Sequence, residues 1–132
     1  MNWFTRSIAA MAIGGVLAAC GGGGPQQVYF DMATAAEFGD TEGFLKAFTP
    51  ESRMLIESQI SLTEAYGLTK QNPVSLLVFP NIDEIEERED EVVLSVSRSN
   101  AKRRILMVKT DEGWKIDVKK LAKFWDEERR KR

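Results

Sequence analysis

The chain has 132 residues, 43% of them hydrophobic, which suffices for one domain with one modest core. Its 18 basic and 20 acidic side chains leave a formal net charge of -2, which argues against nucleic acid as a partner, because such domains are usually basic. There is no histidine and a single cysteine, so Ser-His-Asp and Cys-His catalytic groups, most zinc sites and any internal disulfide are excluded.

Residues 1–19 carry the three zones of an export signal: a short start with Arg6, an apolar run from Ile8 to Leu17, and a close of small residues. The apolar run is about half the roughly 20 residues that a membrane-spanning helix needs. It ends in Leu17-Ala18-Ala19-Cys20, which resembles the bacterial lipobox. The resemblance implies that Leu17, Ala18 and Ala19 are the signal-peptidase recognition residues and Cys20 the lipid acceptor and mature N-terminus. The acceptor cysteine of that family carries a diacylglycerol and often a third chain, so stable anchoring is implied where one chain alone would be marginal. Gly21 stands where many enterobacterial lipoproteins retained in the inner membrane have Asp, which, if the host has two membranes, favours the outer one, facing the periplasm. Residues 20–25 then form a lipidated cysteine and a Gly-rich tether.

Gln26 to Phe38 reads as a helix, with Val28, Tyr29, Met32, Ala35 and Ala36 at helical spacing and Gly39 to end it. Thr41 to Phe48 is a short second helix, capped by Asp40 or Thr41, with Phe44, Leu45 and Phe48 inward. Thr49-Pro50-Glu51 opens a third helix, running to about Tyr66, with Met54, Leu55, Ile60, Leu62 and Tyr66 expected on its buried stripe. Gly67 stops it, and Asn72-Pro73 starts a further helical turn through Leu77. The period then changes to two. Ile82 to Arg88 reads as an acidic edge strand. Val92, Leu94 and Val96 form the apolar side of a half-buried strand, and Arg103 to Lys109 is the next. Asp111-Glu112-Gly113 is a tight turn into a strand with Trp114, Ile116 and Val118 inward. Lys119 to about Arg129 is a final helix with Leu121, Phe124 and Trp125 on one side. The predicted class is α+β: N-terminal helices on a curved antiparallel sheet of three to four strands, with a C-terminal helix.

The order of parts resembles the NTF2-like superfamily, in particular its small envelope lipoproteins. The residues that carry the resemblance are Gly39-Asp40, the helix opening Thr49-Pro50-Glu51-Ser52-Arg53, and the last strand Asp111-Glu112-Gly113-Trp114-Lys115-Ile116-Asp117. It implies an NTF2-like domain over residues 26–118; the basic helix and tail over 119–132 are extra to the family's pattern. These motifs are turns, caps and a core tryptophan, and they speak to fold rather than activity.

NTF2-like enzymes of the ketosteroid-isomerase type pair an acidic base with a Tyr and a protonated acid. Here only Tyr29 and Tyr66 are on offer; Tyr29 could be combined with Asp31 or Asp40, but residues two apart on a helix do not share a face, and helix-end acids are usually caps or solvated. Seven acids between Asp83 and Glu91 invite calcium but lack the spacing of a calcium loop; they read as a solvated edge that resists pairing. Arg129, Arg130, Lys131 and Arg132, with Lys119, Lys120 and Lys123, are candidate contacts for anionic headgroups or an acidic partner, or complete the helix dipole. No cofactor, metal site or catalytic residue is expected. The expectation is a membrane-anchored, non-enzymatic accessory domain that binds an envelope protein or small ligand. A structural subunit of an envelope complex and an NTF2-like enzyme are the alternatives. A closed apolar pocket with convergent polar groups would speak for ligand or catalysis, and an interior filled by Trp114, Phe124 or Trp125 for docking.

Overall fold

The computed structural model describes residues 23–132, so the expected cleavage and lipidation residues Leu17 to Cys20 lie outside the described part. The fold is α+β. Its helices are α1 (Pro25–Glu37), α2 (Thr41–Leu45), α3 (Pro50–Ala65), α4 (Pro73–Leu77) and α5 (Val118–Arg130). Its strands are β1 (Asn81–Glu87), β2 (Glu91–Arg98), β3 (Ala101–Thr110) and β4 (Gly113–Lys115). They form one four-stranded antiparallel meander in the order β1-β2-β3-β4. Among the described residues no helix is long and apolar enough to cross a membrane.

Local signals set most element ends. Gly39 takes φ 70° to end α1, a conformation a Cβ would disfavour. Asp40 then caps α2 by accepting from the Gly43 N–H at 3.0 Å. Gly43 must stay small, because a Cβ there would collide with the Asp40 carboxylate. α2 is shorter than the expected Thr41 to Phe48. Phe48 leaves the helix to bridge Ile116 in parallel, with Thr49 N–H donating to the Ile116 carbonyl at 3.0 Å and Ile116 N–H to that of Ala47 at 2.7 Å. Backbone pairing across the fold outweighs one more helical turn.

The largest correction concerns α3. Its buried stripe is Ser52, Ile56, Ile60 and Thr63, whereas Met54 (74% exposed), Leu55, Leu62 and Tyr66 (73% exposed) face outward. Two hydroxyls hold this phase. Ser52 Oγ accepts from Thr49 Oγ1 at 2.8 Å and from the Val118 N–H at 2.9 Å. Thr63 Oγ1 donates to the Gln59 carbonyl at 2.8 Å and accepts from Asn72 Nδ2 at 3.2 Å. Buried polar groups with their bonds made cost little, so they occupy core positions that side-chain hydrophobicity alone assigns elsewhere. Thr49 correspondingly does not cap α3 with its hydroxyl.

The alternation predicts a half-buried β2, yet Val93 on its second face is buried as fully as Val92, Leu94 and Val96, and Ser97 is buried beside it. The register gives the cause. Val93 pairs with Leu106, and Ser95 with Arg104, so these side chains share a face, and Arg104 on that face reaches α5 at Glu128. α5 therefore covers one face, leaving Val92, Leu94, Val96, Ile105 and Met107 to the N-terminal helices. Tyr29, Met32, Phe44 and Phe48 join them in the core cluster. β4 is three residues long and pairs only Val108 to Thr110, which leaves the first part of β3 as a free edge. Val118, expected on that last strand, begins α5 instead.

Candidate functional site

The stripe that α5 turns toward the sheet changes character along the helix. Leu121 and Phe124 are buried. Continuing at spacings of three and four, the same side presents Trp125, Glu128, Arg129 and Arg132. The strands change at the same level: Glu84 pairs with Ser95, Ser95 with Arg104, and Ser97 with Lys102, so polar side chains replace Val93 and Leu106 on the covered face. Two polar surfaces do not close on one another. A cleft of ≈ 550 Å³ opens between them, lined by Asp83, Glu84, Ser95, Lys102, Arg103, Arg104, Trp125, Glu128, Arg129 and Arg132.

Arg104 anchors the floor. Its guanidinium bonds Glu86 at 2.7 Å and Glu128, and lies 5.4 Å from the centre of the Phe124 ring. Arg88 bonds the other oxygen of Glu86 at 2.7 Å. The Arg88 hydrogen bond, seconded by the charges of Arg88 and Arg104, holds the Glu86 carboxyl below its usual range. Trp125 is fixed from below: its Nε1–H donates to the Arg104 carbonyl at 2.6 Å, at the edge that β4 is too short to pair. Around that edge Arg103 wraps its guanidinium, 5.0 Å from the Trp125 ring and 5.9 Å from Phe79 on the opposite layer. Arg129 and Arg130 share Asp126, each at 3.0 Å. Among the described residues Lys102, Arg103 and Arg132 have no ion-pair partner, and neither do Asp83 and Glu84.

The basic residues expected as contacts thus divide. Arg129 and Arg132 line the cleft, whereas Arg130 and Lys131 are exposed at the end of α5 and do not. Lys119, Lys120 and Lys123 are exposed on the far side of the helix.

Tyr29 and the aspartates near it do not come together as a site. Tyr29 is 1% exposed; its hydroxyl donates to the Leu77 carbonyl at 2.6 Å and accepts from the Phe79 N–H at 2.9 Å. Burial pushes it up to about 12, against the opposing hydrogen bond from Phe79. Asp31 accepts from Gln27 at 2.8 Å, and Asp40 caps α2. Tyr66 is on the outer side of α3. Lys115 donates to the Lys46 carbonyl at 2.7 Å and is held below the usual lysine range, chiefly by burial and then by the charge of Arg53. Among the described residues, no group of acids is arranged to hold a metal ion.

The cleft is not legible in the sequence pattern of α5, which shows one apolar side and one basic tail. The available signal was the register of its inward stripe, where Glu128 and Arg132 continue the line of Leu121 and Phe124. Compared with known proteins, the chain matches no protein-family model, no curated protein and no solved structure.

Proposed function

We propose that the chain is an envelope lipoprotein, cleaved after Ala19 and lipidated on Cys20, whose NTF2-like domain is a non-enzymatic binding module held at the membrane surface. The open cleft under α5 carries the reading of the domain as a binding module, since Lys102, Arg103 and Arg132 line it without ion-pair partners among the described residues. The filled interior, with Phe124 in the core and Trp114 and Trp125 packed against it, supports docking instead. The hydroxyl of Tyr29, the one tyrosine beside candidate acids, is committed in both directions to backbone groups, which also supports binding over catalysis. The anchor is supported by Leu17-Ala18-Ala19-Cys20 and the apolar run before it, with Gly21 favouring the outer membrane if the host has two.

The test is growth of an expressing bacterium with an alkyne-tagged fatty acid. The wild-type chain takes up label and its mature mass begins at Cys20, while Cys20→Ser takes up none. Label retained by Cys20→Ser would overturn the anchor. Turnover of a substrate that Tyr29→Phe abolishes would overturn the binding module.

The outer side of α3 favours a second reading, that of a subunit docked in an envelope complex. Met54, Leu55, Leu62 and Tyr66 are exposed there, and Glu57 and Glu64 lie seven residues apart on the same helix. An antiparallel second copy would set these acids against themselves, so the matching partner is an amphipathic helix with a basic flank.

A further inference from the structure

The cleft under the second half of α5 has two poles. Lys102 and Arg103 from the start of β3, Arg132 just beyond the end of α5, and Arg129 on α5, which also pairs with Asp126, supply positive groups. Asp83 and Glu84 on β1 supply negative ones. The register separates them: Lys102 stands across Ser97 from Asn81 and Arg103 across Val96 from Ile82, so both lie two strand spacings, roughly 9.5 Å, from β1 and are further offset along it from Asp83 and Glu84. Glu128 is paired with Arg104, and Glu86 with Arg88 and Arg104 together, so the open carboxylates are those of Asp83 and Glu84 on the β1 wall.

We propose that this cleft binds a phosphate-bearing zwitterion of the phosphoethanolamine class, its phosphate on the Lys102, Arg103, Arg129 and Arg132 side and its ammonium on Asp83 and Glu84. The inference rests on the reading of the domain as a binding module. A tetrahedral phosphate accepts from several directions, which suits cations converging from a strand and a helix, whereas a carboxylate is satisfied by one guanidinium fork. Arg103 is held ready by its stack on Trp125, which reduces the ordering cost of binding. The acidic wall disfavours a plain anion and rewards a positive group two methylenes from the phosphate. Ser95, between the poles, adds a hydroxyl that can donate or accept. A phospholipid headgroup and free phosphoethanolamine share this chemistry.

The experiment is isothermal titration calorimetry on the full chain carrying Cys20→Ser. Phosphoethanolamine is expected to bind saturably, with inorganic phosphate and ethanolamine each weaker by about tenfold or more. Lys102→Glu and Arg132→Glu, at exposed positions that leave the fold intact, each weaken it by about tenfold. Asp83→Asn combined with Glu84→Gln abolishes the preference for phosphoethanolamine over inorganic phosphate. Sedimentation with phosphatidylethanolamine vesicles that soluble phosphoethanolamine competes away identifies a lipid headgroup; binding of the soluble compound alone identifies the free molecule. No heat with phosphoethanolamine, equal affinity for it and inorganic phosphate, or unchanged affinity in the charge-reversed variants overturns the proposal. Substrate turnover by the same Cys20→Ser chain, which overturns the binding module, is read independently of these affinities, so failure of the cleft and failure of that reading are told apart.

Discussion

The indole Nε1–H of Trp125 donates to the main-chain carbonyl of Arg104 at 2.6 Å, tying the last helix to the unpaired edge of β3. Trp125→Phe keeps an aromatic body but leaves that carbonyl without its partner. It should lower stability by about 1–3 kcal/mol, read as a shift of the urea midpoint. An unchanged midpoint would mean that the bond does not secure α5.

Tyr29 makes the corresponding tie between α1 and the segment Leu77 to Phe79. Tyr29→Phe strands a buried carbonyl and a buried N–H, at a cost of about 2–4 kcal/mol. The raised titration point adds a pH signature. Because the folded value is about 12 against the ordinary 10.0, this stability is fully present below pH 10 and lost as pH rises from 10 through 12. The wild type should lose about 2–3 kcal/mol over that window through this group, and Tyr29→Phe none through it. Parallel alkaline profiles for the two proteins would refute the assignment.

The phase of α3 can be read by comparing its two sides. Ile56→Ala, on the buried side, should cost about 2–5 kcal/mol, whereas Met54→Lys and Leu62→Lys should stay within about 0.5 kcal/mol of wild type. Chemical denaturation of all three decides the point. The reverse order would restore the stripe expected from hydrophobicity.

Gly43 lies against the carboxylate that caps its own helix. Gly43→Ala should displace Asp40 and forfeit the cap, lowering stability by about 1–2 kcal/mol despite the better helix propensity of alanine. A gain in melting temperature would show that Asp40 adjusts freely.

Much of the fold was legible because it depends on neighbours in the chain. Gly39, Gly67 and Pro50 mark helix ends through their own φ preferences, and the alternation of Val92 to Ser97 marks a strand whatever covers it. What was not legible depends on partners far away in sequence. Ser52 is a core residue only because the Val118 N–H arrives 66 positions later, and Val93 is buried only because α5 returns over the sheet. The cleft belongs to this second kind, since Arg132 and Asp83 share no local pattern and meet only when strand register and helix phase are both set.

By itself, then, the sequence determined the α+β order of elements and the turns between them. Tertiary structure alone decided which side of α3 is inside, that the sheet is covered on both faces, and that charges from β1, β3 and α5 face one another across an open cleft. The physical reason is range. Backbone preferences and period act over a few residues, whereas burial, hydrogen-bond satisfaction and charge pairing are settled by whichever groups the closed fold brings together.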